Sequence, residues 1–400
     1  MHIVTSTDIL LPRAEDMGAW SVIACDQFTS EPDYWAAAEA RAAEKPSTLS
    51  LMLPEAWLHT ARADGADGRI AGTMRRYLAE DVFQTVPDSF IYVERTLPDG
   101  RIRRGLVAAL DLEQYDFTGT QRTSVRSTEG TVEERLPPRV NIRRSAPLEM
   151  PHTLLLMDDR TDSALSLAEK AKDTLEKVYD FDLMLGGGHI AGWRVSGETK
   201  AAVQSALDAL DNAALQREKY GDAAENGKLT FAVGDGNHSL AAAKRFWEEK
   251  REILPENERE TDPARFALVE IENIHEPSLD FEPIHRVIFD TDTSAFAAEF
   301  TAHRTEWEAE DKTLGERVAA AESFCRAYIA AHGGYIDYIH GDDTARSLGE
   351  KPSCAAVLLP PVEKSGLFLS VLKNGALPKK SFSMGNARDK RYYLECRKIR

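Results

Sequence analysis

The sequence predicts an α+β, or mixed α/β, fold built on mixed sheets. Two observations carry this. Apolar runs of strand length alternate with helical patterns, but without a strict strand–helix–strand rhythm. Pro98-Asp99-Gly100 joins two strand-like runs, Ser89 to Thr96 and Arg101 to Leu110, and reads as a hairpin turn.

The elements follow in order. Ser21 to Cys25 reads as a strand ending in Asp26-Gln27. Pro32-Asp33-Tyr34-Trp35 opens a helix with proline at an early helical position, and Lys45-Pro46-Ser47 breaks it. Gly68 to Phe83 is an amphipathic helix. After the hairpin, Val132 to Arg135 runs into a break at Pro137-Pro138. Thr153 to Met157 is a buried strand, Ser163 to Tyr179 a helix, and His189 to Val195 a strand after the turn Gly186-Gly187-Gly188. Glu198 to Tyr220 reads as one long helix. Phe266 to Ile271 is a strand, and Pro283 to Val287 a short segment. Ser294 to Thr301 and Leu314 to His332 are helices. The end reads as β-rich: Tyr335 to Ile339, Ala355 to Leu359, Gly366 to Leu372 and Tyr392 to Ile399. Soft borders near 137–147 and 273–280 suggest three parts: 1–136, 137–272 and 273–400.

The chain has 400 residues, 42% of them hydrophobic and 29% charged, which suits a folded globular protein with a large core or two. No apolar run approaches membrane-spanning length, so no membrane partner is expected. A formal net charge of −17 argues against nucleic acid as a partner. The basic stretch at 379–400 is read mainly as neutralising an acidic body. Cys25, Cys325, Cys354 and Cys396 are scattered without metal spacing, which fits a reducing cytoplasm.

One junction carries the functional signal. Leu229 to Val233 is a short buried strand, and Leu240 to Lys250 is a helix with apolar residues at 240, 243, 246 and 247 on one face. Between them stand Gly234, Asp235, Gly236, Asn237, His238 and Ser239. Such a turn aims backbone N–H groups and the positive end of a helix dipole at one spot, a seat for phosphate. Asn237 or Ser239 would equally serve as a plain N-cap, and Gly236 as a turn residue. Neither the P-loop pattern nor the full dinucleotide fingerprint is present.

The junction and its surroundings resemble the domain of unknown function 1015 family. Its members carry Arg-His-Glu-x-Thr, an acidic-Arg-Leu segment, a Pro-initiated strand, Ala-Asp-Gly-His-His-Arg opening a helix, Pro-x-His-Arg, and a late Lys-Ser. The matching places are Ser127-Thr128-Glu129-Gly130-Thr131, Glu134-Arg135-Leu136, Pro151 to Met157, Gly234 to Ser239, Pro283-Ile284-His285-Arg286 and Pro378-Lys379-Lys380-Ser381. The order also resembles the wider superfamily of ParB-like domains, sulfiredoxins and free-serine kinases. That resemblance implies a ParB/serine-kinase-like core, with the Asp-Gly loop holding nucleotide phosphates and Glu129 as base toward a substrate hydroxyl. This chain departs from the pattern at three places: Thr128 and Asn237 replace histidines, and Ser239 replaces arginine. The lost bidentate phosphate donor would be replaced by Arg126, Arg286, Lys380 or a metal ion.

The expectation is therefore a small-molecule kinase moving a phosphoryl group from ATP or ADP to a hydroxyl, with free L-serine the first acceptor to consider. Glu129, Asp235 and His238 are the catalytic candidates. Gly234 to Ser239, Arg126 and Thr131 would bind the nucleotide. His285, Arg286 and Lys380 would bind substrate. Asp235 would hold Mg²⁺, a hard cation that prefers carboxylate and phosphate oxygens. Each has a plainer reading: Glu129 as a loop residue, Asp235 as a turn cap, His285-Arg286 as ion-pair partners. The rival functions are a non-catalytic nucleotide-binding switch of ParB type and a phosphate-ester or nucleotide hydrolase. A homodimer is compatible with either. A sulfiredoxin-like reaction is set aside because the loop has no cysteine.

Overall fold

The structure, a computed structural model, describes residues 2–307, 309 and 312–400. Its centre is an 11-stranded mixed sheet. The strands run in the order Glu176–Asp182, His189–Val195, Phe83–Thr96, Ile102–Asp111, Phe266–Asn273, Leu154–Met157, Phe231–Asp235, Val125–Ser127 and Tyr115–Asp116. Val4–Thr5 and Thr7–Pro12 add to it from the side. Most pairs are antiparallel, but Leu154–Met157 lies parallel to Phe266–Asn273, and Val125–Ser127 lies parallel to both Phe231–Asp235 and Tyr115–Asp116. The class is α+β, as the interleaved patterns predict. Strands of this one sheet come from both sides of residue 136.

Side-chain alternation gives the sheet two cores. Phe90 and Tyr92 point to one face with Leu106, Ala108, Val233 and the helix residues Leu240, Phe246 and Trp247. Ile91, Val93 and Val107 point to the other, against Trp20, Trp35, Tyr392 and Leu394. A smaller four-stranded sheet, Tyr335–His340, Phe281–Phe289, Ala355–Val357 and Phe382–Met384, is wholly antiparallel, and the helix Leu314–His332 packs on it. The C-terminus returns to the start of the chain: Tyr392–Tyr393 pairs with Val22–Ile23, and Cys396 bridges to Leu10.

A buried charge network crosses the second core. The Arg391 guanidinium bonds Glu270 and, at 2.6 Å, Glu395, and donates from Nε to the Pro151 carbonyl at 3.1 Å. It ties the C-terminal segment to the strand that carries Glu270.

Several elements differ from their sequence patterns, each for a physical reason. Pro137 and Pro138 do not break a helix but start one, Leu136–Ser145, because the first turn has no N–H to lose. The expected helix Ser163 to Tyr179 stops at Ala171, and Glu176–Asp182 is an edge strand. The ring of Tyr179 occupies the space above Gly192 that a Cβ would fill. The long helix Glu198 to Tyr220 is two helices, split at 210–212. Asn212 caps the second by accepting from the N–H of Ala214 at 2.8 Å and of Leu215 at 3.1 Å. Gly366 to Leu372 is not a strand. Leu367, Phe368, Val371 and Leu372 bury one face of the helix Leu367–Asn374, and Gly375 at φ +77° ends it.

Candidate functional site

The strand Phe231–Asp235 is buried through Val233, and the 17-residue helix Asn237–Ile253 follows after a single residue. Gly236 makes that turn at φ +78°, and a Cβ there would stand 2.8 Å from Thr153 Cα. No side chain caps the helix start. The Ser239 N–H turns back to the Gly236 carbonyl at 3.0 Å, and the N–H groups of Asn237 and His238 stand at the positive dipole end.

Parallel pairing brings Glu129 to the same place. Val233 sits opposite Ser127, and both strands run the same way, so both end at one edge of the sheet. Thr128 fastens the two ends by donating from Oγ1 to the Val233 carbonyl at 2.7 Å. Leu154–Met157 runs the opposite way beside them, so its start, with His152, reaches that edge too. The result is a cleft of about 560 Å³ walled by Thr128, Glu129 and Gly130, by the whole Gly234–Ser239 loop, and by Asp26 and His152. Lys379, Lys380 and Lys390, with Tyr338 and His340 of the small sheet, complete it.

Glu129 is half-buried, and its Oε1 accepts from the Ser381 N–H at 3.0 Å. Burial pushes its carboxyl above the ordinary 4.5, against the opposing pull of the backbone N–H groups of Ser381, Lys380 and Phe382. A carboxylate of raised pKa is a better proton acceptor at neutral pH than an exposed one. His238 Nε2 accepts from the Val132 N–H at 3.2 Å. Burial, with the nearby charges of Arg139 and Arg135, lowers its pKa to about 4. The ring is thus neutral at pH 7, with its proton on Nδ1.

Asp235 Oδ1 accepts from the Gly236 N–H at 2.9 Å, and its Oδ2 lies 3.5 Å from Lys390 Nζ. Among the described residues no three His, Cys, Asp or Glu side chains converge on a metal position. One carboxylate suits Mg²⁺ only if phosphate oxygens and waters complete its octahedron. Burial works to raise the Asp26 carboxyl, but the charges of His152 and Lys390 and a hydrogen bond from Gln27 hold it below the ordinary value. Ser239 Oγ lies 3.1 Å from His152 Nε2, and His152 Nδ1 lies 2.8 Å from the Tyr393 hydroxyl. The Asn237 Oδ1 and Thr131 Oγ1 are buried without a hydrogen-bond partner.

A family model described as "Protein of unknown function (DUF1015)" matches residues 7–398. The chain belongs to this family. No curated protein matches it in sequence. Solved structures similar to this DUF1015 protein include a free serine kinase in complex with AMP, at 11% identity and TM-score 0.34, covering 72% of this chain and 90% of that one. A conserved hypothetical protein from Pyrococcus furiosus matches at 9% identity and TM-score 0.33, over 73% of this chain and 95% of that one. SbnI with a C-terminal truncation, from Staphylococcus aureus, matches at 9% identity and TM-score 0.33, over 70% and 82%.

Four of the candidates in this DUF1015 protein do not line the cleft: Arg126, Thr131, His285 and Arg286. Arg126 turns back on its own strand end, donating to the carbonyls of Thr123 at 2.9 Å and Asn226 at 2.9 Å. His285 and Arg286 are fully buried. His285 Nε2 contacts Asp342 at 2.9 Å and its Nδ1 accepts from the Leu359 N–H at 3.1 Å. Arg286 contacts Glu322 at 3.2 Å, the Lys380 carbonyl at 3.1 Å and the Ile284 carbonyl, and lies over the Tyr338 ring, so it backs the cleft wall from behind. The cleft wall also carries three cations that were not among the candidates: Arg135, Arg139 and Lys390. His152 was also missed, although it opens the Pro-initiated strand of the motif order.

Proposed function

We propose that this protein is a phosphotransferase that moves a phosphoryl group from ATP or ADP to the hydroxyl of a small substrate. One observation carries the reading: Glu129 and the Gly234–Ser239 loop wall the same cleft. In this reading the loop N–H groups and the helix dipole hold the phosphates. His238 donates from Nδ1 to a phosphate oxygen. Lys379, Lys380 and Lys390 offset the charge, and Glu129 accepts the hydroxyl proton. Asp235 with nucleotide oxygens would hold Mg²⁺, which supplies charge neutralisation. The motif order shared with free-serine kinases makes L-serine the first acceptor to test.

The test is direct. Purified protein is mixed with ATP or ADP, Mg²⁺ and a panel of hydroxy amino acids, and phosphorylated product is sought by mass spectrometry. Product that disappears in Glu129→Ala supports the reading. No product with any donor retires it. A second reading, a nucleotide-binding module without chemistry, is favoured by the Ser381 N–H already engaging Glu129 Oε1. It calls for nucleotide binding that Glu129→Ala leaves intact, with no turnover.

A further inference from the structure

Beside the cleft lies a second, smaller chamber of about 160 Å³. Its walls are mainly aliphatic: Met52, Met74, Ile142, Leu148 and Met150, with Ala242 from the helix that opens at Asn237. Cys25, Glu55, Arg139, His152 and Ser239 line both spaces. The common wall is thus the Arg139–Glu55 ion pair and the Ser239–His152 contact.

We propose that this chamber is a subsite for an apolar group, carried by the hydroxyl acceptor, whose phosphorylated product sets its new phosphate against the Gly234–Ser239 loop. The occupant is a ring or branched chain about the size of benzene. Size supports this, because a cavity of about 150 Å³ with aliphatic walls holds benzene. Chemistry supports it as well. Two polar side chains on the walls, Glu149 and His152, are already engaged inside the protein. Glu149 accepts from the Leu268 N–H at 2.9 Å, from Arg143 at 2.6 Å and from Arg397 at 2.7 Å. His152 is used at both nitrogens. Among the described wall side chains, only Arg143 Nε is buried without a hydrogen-bond partner. The exposed wall is mostly apolar, so the chamber selects for apolar volume.

This inference rests on reading the loop as an anion cradle and narrows the substrate class of the proposed reaction. Free serine would leave the chamber empty. A hydroxyl compound with an apolar arm would fill it.

The experiment compares methyl phosphate with phenyl phosphate and its phenethyl homologue, by calorimetry on the full chain. An aromatic ester should bind about tenfold or more tighter than methyl phosphate. Ala242→Leu, which fills the chamber, should bring the ratio to about one while methyl phosphate still binds. Ile142→Phe serves in its place if Ala242→Leu does not fold. Equal affinity for all three esters in the unaltered protein overturns the proposal, as does an advantage that survives both filled variants. If no ester binds, the cradle reading fails on its own. Crystals pressurised with xenon then decide the chamber: xenon among Met52, Ile142 and Ala242 upholds the apolar subsite, and its absence overturns it.

Discussion

Replacing Glu129 by glutamine should raise stability and destroy activity together. The side chain is half-buried, and burial raises its carboxyl pKa above 4.5. The sign follows from linkage. A carboxyl whose pKa is raised on folding holds its proton more tightly in the folded state, so stability is lost as pH climbs from 4.5 through the raised value. At neutral pH the wild-type protein carries that penalty, and the amide does not. Glutamine also keeps an acceptor for the Ser381 N–H now bonded at 3.0 Å. Turnover should nevertheless fall about 10²- to 10⁴-fold with the loss of the proton acceptor, a barrier increase of about 3–5 kcal/mol. The assays are urea denaturation at pH 7 and at pH 4, and phosphoryl transfer at saturating nucleotide. The variant should be the more stable of the two at pH 7, with the gap closing at pH 4. A variant that keeps full turnover, or that is less stable at pH 7, would refute the reasoning.

Four further outcomes follow from the same geometry. Gly236→Ala should lose about 1–3 kcal/mol in chemical denaturation and weaken nucleotide binding, because alanine is strained at φ +78° and its Cβ would press on Thr153. His238 stays neutral down to about pH 4 while the unfolded ring protonates near 6.5, so stability should fall as pH drops between these values. Melting curves of His238→Asn over that window should slope less than those of the wild type. Arg391→Met strands the buried Glu270 and Glu395 and should cost about 3–5 kcal/mol in urea denaturation. Thr128→Val removes the bond to the Val233 carbonyl, and should cost about 1 kcal/mol and loosen hydrogen exchange where the two parallel strands end.

Much of the fold is legible in local pattern. The hairpin about Pro98-Asp99-Gly100, the strand His189–Val195 and the helix Leu314–His332 each carry their own periodicity and punctuation, and the structure has them. Short apolar runs without punctuation were ambiguous. Gly366 to Leu372 reads as a strand until its i, i+1, i+4, i+5 burial is seen. Tyr179 belongs to a strand because Gly192 leaves room for its ring across the sheet, which no local window contains.

The chain alone, through residue order and composition, determined that a glycine-bounded turn joins a buried strand to an amphipathic helix, that an acidic body ends in a basic segment, and that a glutamate waits about a hundred residues earlier. Tertiary structure decided what meets at that turn. Parallel registry of Val125–Ser127 with Phe231–Asp235 set Glu129 beside the loop, the opposed strand delivered His152, and the returning C-terminus supplied Lys390. It also turned Arg126 away and sealed Arg286 in the interior. The division has a physical cause. Propensity, capping and turn chemistry act over a few neighbouring residues, whereas the choice and direction of strand partners depends on burying two sheet faces at once, which only the whole folded chain can satisfy.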